Sequence, residues 1–586
     1  MEAVGVGLGT VALISTVLDV FRLVTSFRTY SEASAILFRQ LELERQVLLH
    51  WATEVGLHPK GDTSSGSHSA IPVELLPLVH KIVATIGTLL TRATSAREAR
   101  DKSESDVQEL RDTLVTLQNE IDEQKQARQP RLPRSLQRLR WAIGKEEQLK
   151  DLIATIHAYN VSLHNLVPKP LQIRLDGSLM HLLLSEKDPD QLLEIQQASL
   201  QWRKAISAVA TVTAFQQTRS TLAPPSANQL VLQRSKFTSI GPDMARYLTE
   251  YELYSEKIRV LVEWRAHRIP HNSEKKFQYL NTCLDLARLL HASQNLAAYR
   301  TMDCIGILDD PEFGPHPRVG LVYRVPVTPG PQPRSSSEDN CIQIYTLYDI
   351  INRKEFSRPR LDQRFDLARS LATALHRLFV SRWYHKNLNS KNILFFVRNG
   401  TSTIKEGKEV TATDGYVMHP FLSGFDYARP DSPDEMTIKP EVDEFCDRYR
   451  HPQCTHPDSR EVIRYSRRFD IYSLGVLLME LGRWETVDKI QKEYTAQRRK
   501  GRERPSATTL SSCLQEFQRH LRTRCVESLG FRMGKIYMDA VRFCLDDGHE
   551  GGRIGNSELL EDAAAEELLI DGFNNKVIAE LARCTV

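Results

Sequence analysis

Between Leu361 and Trp383, the residues Leu361, Phe365, Ala368, Leu371, Ala372, Leu375, Leu378 and Phe379 recur at helical spacing. The stretch is therefore predicted to be a helix with one face on a core. Directly after it comes a polar run, His385-Lys386-Asn387-Leu388-Asn389-Ser390-Lys391-Asn392, closed by the apolar Ile393-Leu394. Upstream, Val260–Trp264 and Gly320–Val325 are β-branched or aromatic runs typical of strands. A helix is expected between them, over Glu274–Leu290. Strands first and helices later give an α+β arrangement.

The polar run resembles the protein-kinase catalytic loop, H-R-D-L-x-x-x-N followed by an apolar strand. His385, Leu388, Asn392 and Ile393-Leu394 match it in spacing. Lys386 stands where arginine is usual, and Asn387 stands where the catalytic aspartate belongs. Phe421-Leu422-Ser423-Gly424-Phe425-Asp426-Tyr427-Ala428-Arg429 is similar to the kinase strand that ends in D-F-G and x-A-R, but its triplet reads Gly424-Phe425-Asp426. Tyr449-Arg450-His451-Pro452 resembles the end of an activation segment, with Gln453 in place of the glutamate. Asp470-Ile471-Tyr472-Ser473-Leu474-Gly475 resembles the start of the large buried kinase helix, where Asp470 would cap backbone N–H groups and brace the catalytic loop. These four stretches, in family order, imply a bilobal protein-kinase-like fold over 231–586, with the smaller lobe at about 231–327 and the larger at about 341–586.

The departures from the family pattern imply a pseudokinase. Phosphoryl transfer needs a carboxylate to orient the substrate hydroxyl and take its proton. The amide of Asn387 cannot take it, and Gly424 brings no carboxylate to magnesium. Asp426 is expected to be solvated rather than a substitute, and His385 to be structural. The phosphate-covering glycine loop is missing, because Gly241 is the only glycine from Leu230 to Trp264. Val260–Arg265 resembles the strand that carries the phosphate-pairing lysine, V-A-I-K, and the candidates there are Glu263, Trp264 and Arg265, of which only Arg265 is cationic. A nucleotide pocket would then involve Arg265, Glu274 as the helical partner, and Asn392. No cofactor is expected to be required, and ATP binding without turnover is compatible with these residues. The competing reading is an active, atypical Ser/Thr kinase.

The first 215 residues have a different texture, with helical spacing dominant and strand signals scarce. Helices are predicted over Leu8–Thr29, Ser31–Thr53, Val73–Thr91, Lys102–Gln126, Leu136–Leu166 and Pro189–Gln217. Gly56 is read as a helix stop and the polar Lys60–Ser69 as a loop. An all-α bundle over 1–215 follows, then a linker over 216–230 centred on Leu222–Ser226 (LAPPS). Val4, Val6, Leu8, Val11, Leu13, Ile14, Val17 and Leu18 surround the first helix rather than lining one face. Such a helix is either buried or in a membrane. Its charge-free run, Ala3–Leu18, is 16 residues, short of the roughly 20 that span a bilayer. Leu8, Val11, Ile14 and Leu18 are the residues that a membrane-inserting helix would present.

Gly7–Leu57, with its apolar first helix, the Leu41–Leu49 segment and the closing Trp51-Ala52-Thr53-Glu54-Val55-Gly56-Leu57, resembles fungal HeLo domains, the helical part of prion-inhibition and propagation proteins. That resemblance implies a role in regulated cell death, with a released N-terminal helix entering membrane. The layout is similar to the mixed-lineage kinase-like pseudokinase of animal necroptosis. A helical interaction scaffold with no membrane role is the alternative.

Charge argues against a nucleic-acid partner, since 77 basic residues face 74 acidic ones for a net charge of +3. Nine cysteines, all from Cys283 onward and without a C-x-x-C pair, indicate neither a disulfide framework nor a zinc site. No metal is expected. Protein partners, self-association and a cytoplasmic location with recruitment to the plasma membrane complete the expectations.

Overall fold

The computed structural model describes residues 2–25, 32–57, 70–94, 146–184, 189–201, 203, 206–207, 209–210, 213, 230–241, 245–265, 273–293, 299–311, 313, 318–326, 342–398, 402–405, 408–411, 419–431, 443–455, 465–500, 510–546 and 563–585. The predicted helix Lys102–Gln126, the loop Lys60–Ser69 and residues 216–229 of the linker lie outside these residues. The chain forms two compact units, Met1–Thr211 and Val212–Val586.

The first unit is helical: α1 (Glu2–Thr25), α2 (Glu32–Glu54), α3 (Leu76–Thr94), α4 (Glu146–Asn165), α5 (Lys169–Leu184) and α6 (Pro189–Ser199). Leu13, Ile14, Val17, Leu18, Val20, Phe21 and Val24 of α1 are all buried and share one core with Val79, Val83, Ile86 and Leu90 of α3 and with Ile153 and Ile156 of α4. The charge-poor α1 is thus a core helix. Of the expected membrane-facing set, Ile14 and Leu18 are buried, Val11 is partly buried, and the Leu8 side chain lies outside the described residues. The end of α2 follows from Gly56 at φ 77°, which lets Leu57 N–H reach Ala52 O at 2.8 Å and Gly56 N–H reach Thr53 O at 3.2 Å. These two bonds satisfy carbonyls that a helix end otherwise leaves open. Helix α5 was not anticipated from the sequence; it carries Pro170 in its first turn, where proline is tolerated.

One carboxylate sits inside this unit. Glu44 of α2 accepts hydrogen bonds from His157 Nδ1 at 2.9 Å, Asn160 Nδ2 at 2.8 Å and Arg203 Nη2 at 3.3 Å. Burial alone would raise its pKa, but His157, Arg203 and Asn160 together hold it below the ordinary value. The network ties α2 to α4 and to the chain beyond α6.

The second unit is α+β with small sheets. Strands β1 (Arg246–Leu253), β2 (Glu256–Trp264), β3 (Cys304–Asp310) and β4 (Arg318–Arg324) make an antiparallel sheet in the order β1-β2-β4-β3, with α7 (Ser273–Ser293) between β2 and β3 in the chain. The segment from Leu230 to Phe237 bridges both outer strands, pairing Val231 with Ile307 and Phe237 with Tyr251. Gly306, at the β3 bulge with φ 154°, makes that closure feasible, since a Cβ there would stand 2.3 Å from Leu230 O. A second sheet pairs β5 (Ile342–Thr346) with β7 (Ile393–Arg398) and β7 with β8 (Phe421–Leu422), while the short β6 (Trp383–Tyr384) pairs with Arg429–Pro430. Helices α8 (Leu347–Asn352), α9 (Leu361–Val380) and α10 (Arg467–Arg483) follow the expected order, and α10 is buried from Phe469 to Gly482.

Replacing Gly306 by alanine forces a methyl group into the Leu230 carbonyl and strains the backbone. The expected loss is about 2–3 kcal/mol, read as a lower unfolding midpoint for the second unit while the helical unit's transition stays in place.

Candidate functional site

The polar run after α9 is held rigidly. Asp470, fully buried on α10, accepts from the backbone N–H groups of His385 and Lys386 and from Tyr465 Oη, each at 2.8 Å. His385 is also fully buried. Its Nδ1 accepts from Asn387 N–H at 3.3 Å, so Nε2 carries the proton and donates to Ser423 O at 3.0 Å. Phe425 packs on the ring at 4.8 Å. Burial pushes this imidazole down to about 4, so it is a neutral structural group at ordinary pH.

Beyond His385, three asparagines hold one another. Asn389 Nδ2 donates to Asn387 Oδ1 at 3.1 Å, and Asn392 Nδ2 donates to Asn387 O at 2.7 Å. Asn387 Nδ2 in turn donates to Asp426 Oδ2 at 3.2 Å. Asp426 is therefore not the solvated residue expected: it is partly buried and engaged. Burial first, then the nearby Glu263, raises its pKa to about 7 against the pull of Arg246 and Arg265.

Strand alternation decides what β2 brings to this place. Glu263 and Arg265 point to one side, and Trp264 points to the other, where its ring lies 3.7 Å from the Arg318 guanidinium. Glu263 is 2 % exposed. One of its oxygens accepts from the backbone N–H groups of Gly424 at 2.9 Å and Phe425 at 3.2 Å; the other accepts from Arg246 Nε at 2.7 Å. The same guanidinium donates to Lys391 O at 3.0 Å and to Asn392 Oδ1 at 2.5 Å. Arg246 thus fastens the four-stranded sheet to the Asn387–Asn392 loop.

Arg265 plays a different part from the one the sequence suggested. Its guanidinium is buried and donates to Asp426 O at 2.8 Å and Ala428 O at 3.2 Å, with Cys283 Sγ at 3.5 Å and the Tyr279 ring at 5.4 Å. It binds main chain and α7 side chains. Glu274 lies in the first turn of α7, and its side chain is outside the described residues. Gly424 has φ 79°, and a Cβ there would come within 2.1 Å of the Asn392 side chain.

Arg246 was missed by sequence reasoning, because no motif marks it. Glu263 was weighed only as a non-cation, although it is the carboxylate that Arg246 and two backbone N–H groups hold. Tyr323 of β4 was also missed. It is fully buried, and its hydroxyl has no hydrogen-bond partner among the described residues.

Residues 3–195 match the HeLo family, described as "Prion-inhibition and propagation", which bears out the HeLo resemblance for the helical region. Residues 320–551 match a "Domain of unknown function (DUF7580)". No curated protein matches the chain. Among solved structures, the "Twitchin kinase region from C.elegans" shows a weak likeness, with 11% identity, 51% of this chain covered and a TM-score of 0.31. The chain spans 40% of that structure's length.

Asp426 gives the site a pH signature. Its folded pKa lies above the unfolded value, so its favourable contribution is complete below about pH 4 and is lost as pH rises through about 7. Asp426→Asn removes that titration. The variant should gain stability relative to the parent as pH rises from about 4 to 7, with the difference level above that; denaturation curves at matched pH values measure it.

Proposed function

We propose that the second unit is a protein-kinase-like module without phosphoryl-transfer activity that controls the HeLo-type helical region, in the manner of a fungal regulated-cell-death or membrane-targeting effector. The observation that carries this reading is the Arg246–Glu263 ion pair. A nucleotide-binding cleft of the kinase type needs a cation on the sheet strand to hold phosphates and carboxylates to hold magnesium. Here the strand offers the carboxylate of Glu263, and the guanidinium of Arg246 lies against Asn392. Asn387 supplies an amide in place of the general base. Loss of a general base alone costs on the order of 10²–10⁴ in rate.

No cofactor is needed for such a role. Control of the helical region would pass through protein contacts and self-association in the cytoplasm, with the plasma membrane as the site of action. An active atypical kinase and a scaffold without membrane action are the competing readings, and they separate by experiment.

Incubation of the full-length chain with labelled ATP and magnesium should give no transfer to itself or to a generic Ser/Thr substrate. Transfer that vanishes in Asn392→Ala would overturn the proposal. The double variant Asn387→Asp, Gly424→Asp should also stay silent, because the new side chain at 424 runs into Asn392. It should unfold more easily by about 2–3 kcal/mol. Leakage of dye from anionic liposomes on addition of residues 1–215, but not of the intact chain or of a variant lacking Ala3–Leu18, would support a membrane effector under control of the second unit. Intact liposomes in every case, alongside a silent kinase assay, would favour the scaffold.

A further inference from the structure

The oxygens gathered on Arg246 are chemically distinctive. They are a carboxylate oxygen of Glu263, the amide oxygen of Asn392 and the backbone oxygen of Lys391. A second carboxylate, that of Asp426, is close enough for Arg246 to lower its pKa. Carboxylate, amide carbonyl and backbone carbonyl oxygens are the donor set of hard divalent cations such as calcium and magnesium. Beside them the buried Tyr323 hydroxyl has no hydrogen-bond partner among the described residues, and after burial itself Glu263 is the group that most resists its ionisation.

Charge balance explains why no external ion is required. Glu263 brings one negative charge and Asp426 a second one when it is ionised, and Arg246 and Arg265 bring two positive ones. Arg265 is bound to the carbonyls of Asp426 and Ala428, so Arg246 is the cation in contact with the Glu263 carboxylate. Buried charges persist only when paired and hydrogen-bonded.

We propose that this cleft is a cation site of the oxygen-ligand type whose resident cation is the chain's own Arg246 guanidinium, and that removing the guanidinium opens it to a divalent metal ion. The parent chain accordingly takes up no divalent ion here. The charge that a metal would bring from solution is supplied by β1, and the sheet is locked to the Asn387–Asn392 loop as a result. The proposal concerns the same cleft as the functional reading, but its readout is metal binding and not phosphate transfer, so the two fail separately.

The test is thermal unfolding of the full-length parent, Arg246→Ala and Arg246→Met, each with and without calcium or magnesium. Met keeps the aliphatic stem against the sheet and separates loss of charge from loss of packing. The parent midpoint should not move. Both variants should melt lower than the parent and recover by about 5 °C when the ion is in 100-fold excess over its Kd. Adding Glu263→Gln to either should abolish the recovery, because it removes the carboxylate in direct contact with the site. If a variant is unfolded in the absence of metal, folding on addition of calcium counts as the expected result. A divalent-dependent shift in the parent overturns the proposal. So does a variant that calcium and magnesium leave unchanged.

Discussion

A carboxylate out of reach of water has to be answered by charge and by hydrogen bonds, and Glu263 is answered by both. Two backbone N–H groups from Gly424 and Phe425 hold one oxygen, and Arg246 holds the other. This single side chain joins three parts of the second unit: strand β2, strand β1 through Arg246, and the segment after β8. Around it, other described segments have tethers of their own. Asp470 fixes His385 and Lys386, the three asparagines fix the run to Asn392, and Arg265 fixes Asp426 and Ala428. Removing one partner of such a buried pair typically costs about 3–5 kcal/mol, because the other charge is left unanswered. The arrangement is rigid because few of its polar atoms have an alternative.

What the sequence disclosed follows from how local each signal was. Helix α9 and the polar loop were readable because their spacing and motif are contiguous, and Asp470 because its neighbours match a short pattern. Strands β2 and β4 and helix α7 were readable for the same reason, and so was the end of α2 at Gly56, whereas β1 and β3 were not read from the sequence. Arg246 could not be read, because its role depends on strand β1 lying across from a loop about 145 residues away. Asp426 was read as solvated because two residues of sequence distance say nothing about the cover that Glu263, Asn387 and Arg265 provide. Arg265 was read as a candidate phosphate partner because it is the one cation of a strand resembling V-A-I-K, whereas its geometry spends every donor it shows on carbonyls and a thiol. Helix α5 was not read from the sequence at all, although Pro170 in its first turn is harmless there.

The helical unit has the same logic with different chemistry. Helix α1 carries seven buried apolar side chains at its C-terminal half, each worth roughly 1.5–3 kcal/mol in burial. Withdrawing that half dismantles the core shared with α3 and α4. A transfer of α1 into a bilayer therefore exchanges one apolar environment for another, and its balance is set by what the rest of the bundle loses. The Glu44 network adds a polar tether to that balance, since α2 is fastened to α4 through His157 and Asn160.

The closure at Gly306 bears on what the second unit can bind. An open sheet presents unpaired N–H and C=O groups along its outer strands and invites a peptide, or another copy, to add as a further strand. Here a single stretch of the chain's own backbone reaches both outer strands of the four-stranded sheet, at Ile307 and at Tyr251. Where it pairs, strand addition has no template. A strand added to this sheet would have to find its backbone partners elsewhere along β1 and β3.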